Sequence, residues 1–169
     1  MILATDVYYD EPHNRALAAG VLFREWGAGK STAEFQVPVD GIAPYEPGAF
    51  YKRELPCLLA LLAEVERDHL VEVVVVDSYV DLEPGHPGLG RRLYNALGGR
   101  VAVVGVAKSH YAQAVAAEVF RGGSKSPLYV TAAGMEVGGA ADLIERMHGP
   151  HRIPTLLQRV DALSRGRKG

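Results

Sequence analysis

The sequence predicts an α/β protein with one mixed β-sheet and helices on both of its faces. The first forty residues are rich in β-forming residues and contain the turn signals DEPHN and GAGKS, which is typical of a three-stranded β-meander. Two later runs, VEVVVVD and VAVVGVA, are typical of strands buried on both faces. A meander followed by a strand–helix–strand crossover predicts that all these strands share one sheet.

The individual elements follow from the spacing of apolar residues. Five apolar side chains recur at three- and four-residue intervals and predict a helix over about 49–67: Leu55, Leu58, Leu59, Leu62 and Val65. The predicted order is β-β-β-α-β-α-β-β-β-α-α. In chain order, the segments are the strands ILATDVYY, RALAAGVLFREW and TAEFQVPV, the helix at 49–67, a strand at 71–77, a helix at 88–97, strands at 101–107, 115–121 and 127–132, and helices at about 138–148 and 154–165.

Composition limits the class of protein. A chain of 169 residues with 48% hydrophobic and 22% charged residues suits one globular domain, 1–169. Because no apolar run is long enough for a membrane span and the N-terminus has no basic region, we expect a cytoplasmic protein that does not contact membranes. We also expect a monomer. The single cysteine, Cys57, excludes a disulfide framework, and a net charge of −2 argues against a non-specific nucleic-acid binder.

The segment GAGKST, at 27–32, resembles a phosphate-binding loop only superficially. That motif requires a glycine at the position that Arg24 occupies, and it opens a helix, whereas this segment joins two predicted strands. The sequence therefore favours a glycine-containing hairpin turn here.

Three acidic residues stand out by their positions. Asp6 interrupts the first strand, Asp77 ends the strand at 71–77, and Glu54 lies in the first turn of the first long helix. Taken singly, each has an ordinary structural role, since Asp6 or Asp77 suits a helix cap or turn and Glu54 suits the positive end of a helix dipole.

Taken together, the three acids suggest a metal site. The first strand and the strand after the helix can be neighbours, so Asp6, Glu54 and Asp77 can converge at one edge of the sheet. The mutual repulsion of clustered carboxylates is relieved by a hard divalent cation such as Mg²⁺ or Mn²⁺. Such a cation beside a groove is suited to phosphodiester hydrolysis. Lys108, after the second buried strand, suits either a solvated strand end or a contact to the scissile phosphate.

With these residues in place, the chain resembles the endonuclease V family, nucleases with a ribonuclease H-like fold. TDVYY and VVVVDS resemble its two aspartate-bearing strands, and PYEPGAFYKRELP resembles its Pro-Tyr-x-Pro-Gly wedge followed by Phe-Arg-Glu. VGVAKS, SPLYVTAAG and HRIPTLLQRVDAL resemble three later segments, in the same order. Six matches in order span nearly the whole chain.

The resemblance implies a Mg²⁺- or Mn²⁺-dependent endonuclease acting on DNA or RNA near deaminated bases, chiefly inosine. It assigns catalysis to Asp6, Glu54, Asp77 and Lys108, with the three acids as metal ligands. Tyr45 would separate strands while the lesion base leaves the stack. It also assigns nucleic-acid contacts to six residues: Pro44, Tyr45, Pro47, Gly48, Arg53 and Ser109.

Several positions depart from the family pattern. Where the family has a glycine-rich segment after the third acid, this chain has SYVDLEPGH. Met135 stands where the family has an active-site histidine, and Glu136 or Asp142 are candidate replacements for it. Glu46 places an acid within the wedge, and the loop after Lys108 is short. Two alternatives therefore stay open: a catalytically impaired module that binds nucleic acid or protein, and a nuclease with another substrate preference.

Overall fold

The computed structural model describes residues 1–167, which form a seven-stranded sheet, a separate two-stranded hairpin and four α-helices. A 3₁₀ turn, Glu11–His13, joins the first two strands. In chain order, the elements are β1 Ile2–Asp10, β2 Arg15–Phe23, β3 Ala33–Asp40, α1 Tyr51–Val65, β4 Val73–Val76, β5 Asp81–Glu83, β6 His86–Pro87, α2 Leu89–Ala96, β7 Ala102–Ala107, β8 Ala117–Val119, β9 Leu128–Ala133, α3 Val137–Glu145 and α4 Thr155–Ser164.

The strands of the large sheet follow the order β3-β2-β1-β4-β7-β9-β8. The meander β1–β3 is antiparallel, β4 lies parallel to β1 and β7, and β9 runs antiparallel to β7. The β4–α2–β7 crossover therefore supplies the parallel centre of the sheet.

Two hydrophobic cores cover the two faces of the sheet. On one face, α1 and α2 bury side chains such as Leu58, Leu61 and Leu93 against the sheet. On the other face, α3 and α4 do the same with residues such as Ile144 and Val160. Alternate β1 residues serve opposite cores, with Leu3 in the first and Ala4 in the second, as the two-residue period of a strand requires.

The predicted fold class, a mixed sheet with helices on both faces, is confirmed. The main difference is the hairpin β5–β6, which forms between the strand predicted at 71–77 and the helix predicted at 88–97, where no element is predicted. Its strands are three and two residues long, too short to show a period in the sequence. Across residues 1–167, none of the helices has the length and apolar character needed to cross a membrane.

Candidate active site

The site lies where the sheet splits at the carboxyl ends of its parallel strands. β1 pairs with β4 only over Ile2–Ala4, but it stays paired with β2 through Asp10. Beyond that point β4 ends at Val76, so Asp6 of β1 and Asp77 after β4 lie at the opening between the strands, lining one cavity with Lys108. Ligand sites in α/β sheets tend to form at this edge.

The loop that carries Asp77 is held by contacts from the next strands. The backbone N–H of Val80 donates a hydrogen bond to Thr131 Oγ1 at 2.8 Å. Gly105 in β7 allows the loop after β4 to lie against that strand, because a Cβ at residue 105 would be only 2.4 Å from the Ser78 carbonyl oxygen. The loop position after β4 therefore depends on a small residue in the neighbouring strand.

Lys108 reaches the site because the loops after β4 and β7 are tied together. The Tyr79 hydroxyl donates to the Ser109 carbonyl oxygen at 2.7 Å and accepts from the Tyr111 N–H at 3.1 Å. Lys108 Nζ then lies 3.1 Å from Asp77 Oδ2. Both charged side chains remain partly exposed, so the pair is open to exchange with a ligand.

A fourth carboxylate, Asp161 of α4, lines the same cavity, and sequence reasoning gave it no role. It lies four residues after Leu157, which also lines the cavity, so the two share one face of the helix. The sequence predicts the helix that contains Asp161, but a single acid on a partly exposed helix is common and does not by itself indicate a functional site. Only the packing of α4 over β1 identifies it as part of the site.

Ser164 fixes the orientation of Asp6. Its buried hydroxyl lies 2.6 Å from Asp6 Oδ2 and 2.8 Å from the Asp161 carbonyl oxygen. Since a hydroxyl carries one proton, it donates to one of these acceptors at a time. This contact anchors the C-terminal turn of α4 to the first acid.

Glu54 approaches from the opposite face of the sheet. It lies in the first turn of α1 and is only 6% exposed. Burial, together with the negative charges of Asp6 and Asp77, raises the pKa of Glu54 to about 8 from its ordinary value of 4.5. Among residues 1–167 no cation pairs with this carboxyl, so it is mostly protonated near neutral pH.

The pKa of Asp6 is raised for the same reasons, to about 6. Burial is the largest cause, and Asp77 and Asp161 add repulsion, while the hydrogen bond from Ser164 acts in the opposite direction. Raised pKa values from desolvation and like charge are typical of functional sites.

The donor set fits a hard divalent cation by its chemistry. Four carboxylates interact at one sheet edge, and two of them have raised pKa values that a bound cation would reverse. In the arrangement described for residues 1–167, no three His, Cys, Asp or Glu side chains are close enough to form a ready-made metal cage. The acids therefore have to move closer together to ligate one ion.

The loop at residues 44–48, which the family resemblance predicts to act as a wedge and which is called the wedge loop below, is exposed. Tyr45 is 67% exposed, and Gly48 has a φ of +77°, a conformation that favours glycine. Glu46, the acid that departs from the family pattern, pairs with Lys52 at 3.0 Å. Its charge is therefore partly offset within the loop.

Arg53, one of the residues predicted to contact nucleic acid, is buried at the start of α1. It is 4% exposed, its Nη2 lies 2.6 Å from Glu11 Oε1, and its guanidinium stacks over Tyr9 at 4.6 Å. The same Tyr9 ring meets Phe50 edge to face at 6.0 Å. Arg53 thus ties the start of α1, next to Glu54, to the end of β1. Ser109, by contrast, is exposed beside Lys108.

The candidate replacements for the family histidine lie away from the site. β9 runs antiparallel to β7, and Ala133 pairs with Val103 at the amino end of that strand. Met135 follows and packs into the second core, roughly 20 Å along the sheet from Lys108. Glu136 and Asp142 are exposed and do not line the cavity of Asp6 and Asp77. The structure therefore supports neither as a replacement.

The altered segment after Asp77 forms the β5–β6 hairpin. Asp81 receives two hydrogen bonds from Arg91, at 3.1 and 2.9 Å, which fasten the hairpin to α2. Glu83 and His86 face each other across it at 3.1 Å. A polar, ion-paired hairpin stands where the family has a glycine-rich loop.

The segment GAGKST joins β2 to β3 as a turn, as its sequence favours. Gly29 there packs against the His148 ring. The turn follows Phe23, which pairs with Ile2, so it lies at the end of the sheet opposite Asp6.

Comparisons with known proteins agree with this architecture. The family model described as Endonuclease V matches residues 1–155, whereas no curated protein matches the chain. The structure of endonuclease V from Streptomyces avermitilis superimposes with a TM-score of 0.81 at 23% identity, covering 98% of this chain and 79% of that one. Human ENDOV gives a TM-score of 0.75 at 22% identity, covering 98% and 82%. Endonuclease V from Ciona intestinalis gives 0.81 at 15%, covering 98% and 83%.

These solved structures share the ribonuclease H-like fold of this chain, and their 98% coverage extends past residue 155, where the match to the family model ends. Because that family model covers most of the sequence, the chain belongs to the endonuclease V family of nucleases.

Proposed function

We propose that this chain is a Mg²⁺- or Mn²⁺-dependent endonuclease that hydrolyses phosphodiester bonds in DNA or RNA near deaminated bases. The observation that carries the proposal is the convergence of Asp6, Glu54, Asp77 and Asp161 beside Lys108. The family assignment supports the nuclease chemistry. The Ciona intestinalis relative was crystallised with a 23mer DNA containing an inosine followed by a ribo-adenosine, which supports inosine as the lesion.

The four carboxylates would hold the cation. A divalent cation there supplies a hydroxide nucleophile near neutral pH and stabilises the leaving oxygen. Ser164 keeps Asp6 oriented, and the close approach at Gly105 keeps the Asp77 loop in place. Lys108, partly exposed beside Asp77, is placed to exchange that partner for a substrate phosphate.

The wedge loop would act on the bases. Tyr45 offers an exposed ring, and its proline frame limits the loss of backbone entropy on binding. An aromatic side chain that stacks on a base contributes about 1–3 kcal/mol. The ion pair between Glu46 and Lys52 would reduce repulsion between the loop and the phosphate backbone.

The direct test is cleavage of a labelled single-stranded oligonucleotide with one inosine, in Mg²⁺ and in Mn²⁺. We expect the wild type to cut and Asp77→Asn to be inactive. Asp68→Asn, which alters an exposed aspartate after α1, is the matched control and should cut normally. Equal cleavage by the wild type and Asp77→Asn would overturn the proposal.

A second candidate keeps the chemistry and changes the substrate. It is favoured by the β5–β6 hairpin, whose ion pairs replace the glycine-rich segment of the family. A panel of inosine, uracil, abasic and undamaged strands separates the two, because a nuclease without lesion recognition cuts all four at similar rates.

A third candidate, the catalytically impaired binding module, is eliminated by turnover of any one of these strands.

A further inference from the structure

An open groove lies beside the site, between the β1–β2 hairpin and the C-terminal end of α4. We call it the hairpin groove. It has a volume of about 650 Å³. The residues used below are Tyr8, Asp10, Glu11, Arg15, Ser164 and Arg165, all of which line it.

The hairpin groove is continuous with the carboxylate site. Ser164 lines the groove and also contacts Asp6 at 2.6 Å. Tyr8 lies two residues beyond Asp6 on the same face of β1, so it is displaced by about 6.6 Å along the strand. The nucleotide next to a phosphate bound at Asp6 can therefore reach Tyr8.

Tyr8 and Arg165 together form a flat, exposed surface. Tyr8 is 45% exposed, and the Arg165 guanidinium lies 5.3 Å from the centre of its ring. Its one ion pair within residues 1–167 is a long contact of 3.4 Å to Asp161 Oδ1, and the Arg165 side chain remains 46% exposed. An aromatic ring beside a guanidinium binds any base by stacking and leaves the cation near the backbone.

The charged side chains of the groove favour an anionic strand, because its acids are closely paired with other side chains and its two arginines are not. Asp10 lies 2.8 Å from His13, and Glu11 lies 2.6 Å from Arg53, so both acids have cationic or potentially cationic partners. Arg15 has only a 3.7 Å contact with Asp40, which is 87% exposed. Among the contacts that the structure describes, Arg15 and Arg165 are therefore the weakly paired cations that line the groove.

We propose that the hairpin groove is a nucleotide subsite in which Tyr8 stacks on an unpaired base next to the scissile phosphate and Arg165 contacts the adjoining phosphate. The inference rests on the proposed function and adds a contact on the α4 side of the sheet. The wedge loop precedes α1, which packs on the opposite face. The strand would thus be held on both sides of the cleavage point.

The test measures binding of fluorescent single strands by anisotropy in an Asp77→Asn background, which prevents cleavage. The KM for cleavage is measured in parallel without that change. We expect Tyr8→Ala to weaken binding and raise KM about 5- to 150-fold, the range for one lost stacking contact. Tyr8→Phe should bind normally, because stacking needs the ring alone. Phe120→Ala is the control, since it removes another exposed aromatic ring, at the β8 edge.

A second measurement separates base contact from a general structural effect. Trimming the strand one nucleotide at a time from each end should reach a length at which Tyr8→Ala and its parent bind equally. Arg165→Gln should lower the slope of log K against log salt by about 0.7, as expected for one phosphate contact to a single strand. Normal affinity and KM in Tyr8→Ala would overturn the subsite and leave the nuclease proposal intact. Failure of the wild type to bind or cut any strand would overturn the nuclease proposal itself.

Discussion

Replacing Glu54 with glutamine should stabilise the metal-free protein, and the effect should grow with pH. The carboxyl is 6% exposed and faces the charges of Asp6 and Asp77, and its pKa is raised to about 8 from 4.5. Between those two pH values the folded protein keeps the Glu54 proton while the unfolded chain has released it. The free energy of unfolding therefore falls as pH rises through this window, by up to about 1.4 kcal/mol per pH unit.

Glutamine mimics the protonated carboxyl and removes this dependence. Allowing for coupling among the three acids, we expect Glu54→Gln to be more stable than the wild type by on the order of 3 kcal/mol near pH 8 and by little near pH 5. Urea unfolding in EDTA at several pH values measures the difference. Glu118→Gln, an exposed site on β8, is the matched control and should follow the wild type.

Adding Mn²⁺ should reverse the order of stability. A cation that binds only the folded state stabilises it, and its binding displaces the Glu54 proton. Mn²⁺ should therefore raise the melting temperature of the wild type more at pH 8 than at pH 6, and raise that of Glu54→Gln far less. Parallel pH profiles for the two proteins in EDTA would refute the reasoning, because they would mean that Glu54 is ionised in the folded state without a cation.

Three further changes test other parts of the structure. Asp161→Asn should reduce Mn²⁺-dependent cleavage at least tenfold and lower the pKa of Asp6 by removing a like charge, which NMR titration of the carboxyl carbons can follow; unchanged cleavage would exclude Asp161 from the site. Gly105→Ala should destabilise the fold by about 3 kcal/mol or more, because its Cβ would meet the Ser78 carbonyl oxygen at 2.4 Å; a melting temperature like that of the wild type would contradict this close approach. Tyr45→Ala should slow cleavage of inosine in a duplex more than in a single strand, since only the duplex needs strand separation; equal losses on both would argue against a wedge.

The sequence by itself determined the order of the elements and three of the four acids. The alternating strands of the meander, the continuous apolar runs of β4 and β7 and the spacing of α1 are local patterns, so they can be recognised before any tertiary contact is known. Asp6 stood out because it interrupts such a pattern, Asp77 because it ends one, and Glu54 because it lies in the first turn of the predicted helix. The short β5–β6 hairpin lacked a pattern of this kind.

Only the tertiary structure decided which residues share a site. Asp161 joins the carboxylates because α4 packs across β1, a contact between residues about 155 positions apart that no local pattern encodes. Arg53 turned inward because Tyr9 and Glu11 enclose it, while Met135 lies at the opposite end of the sheet because β9 runs antiparallel. Local sequence specifies what each segment becomes, whereas strand direction and helix docking determine which side chains meet.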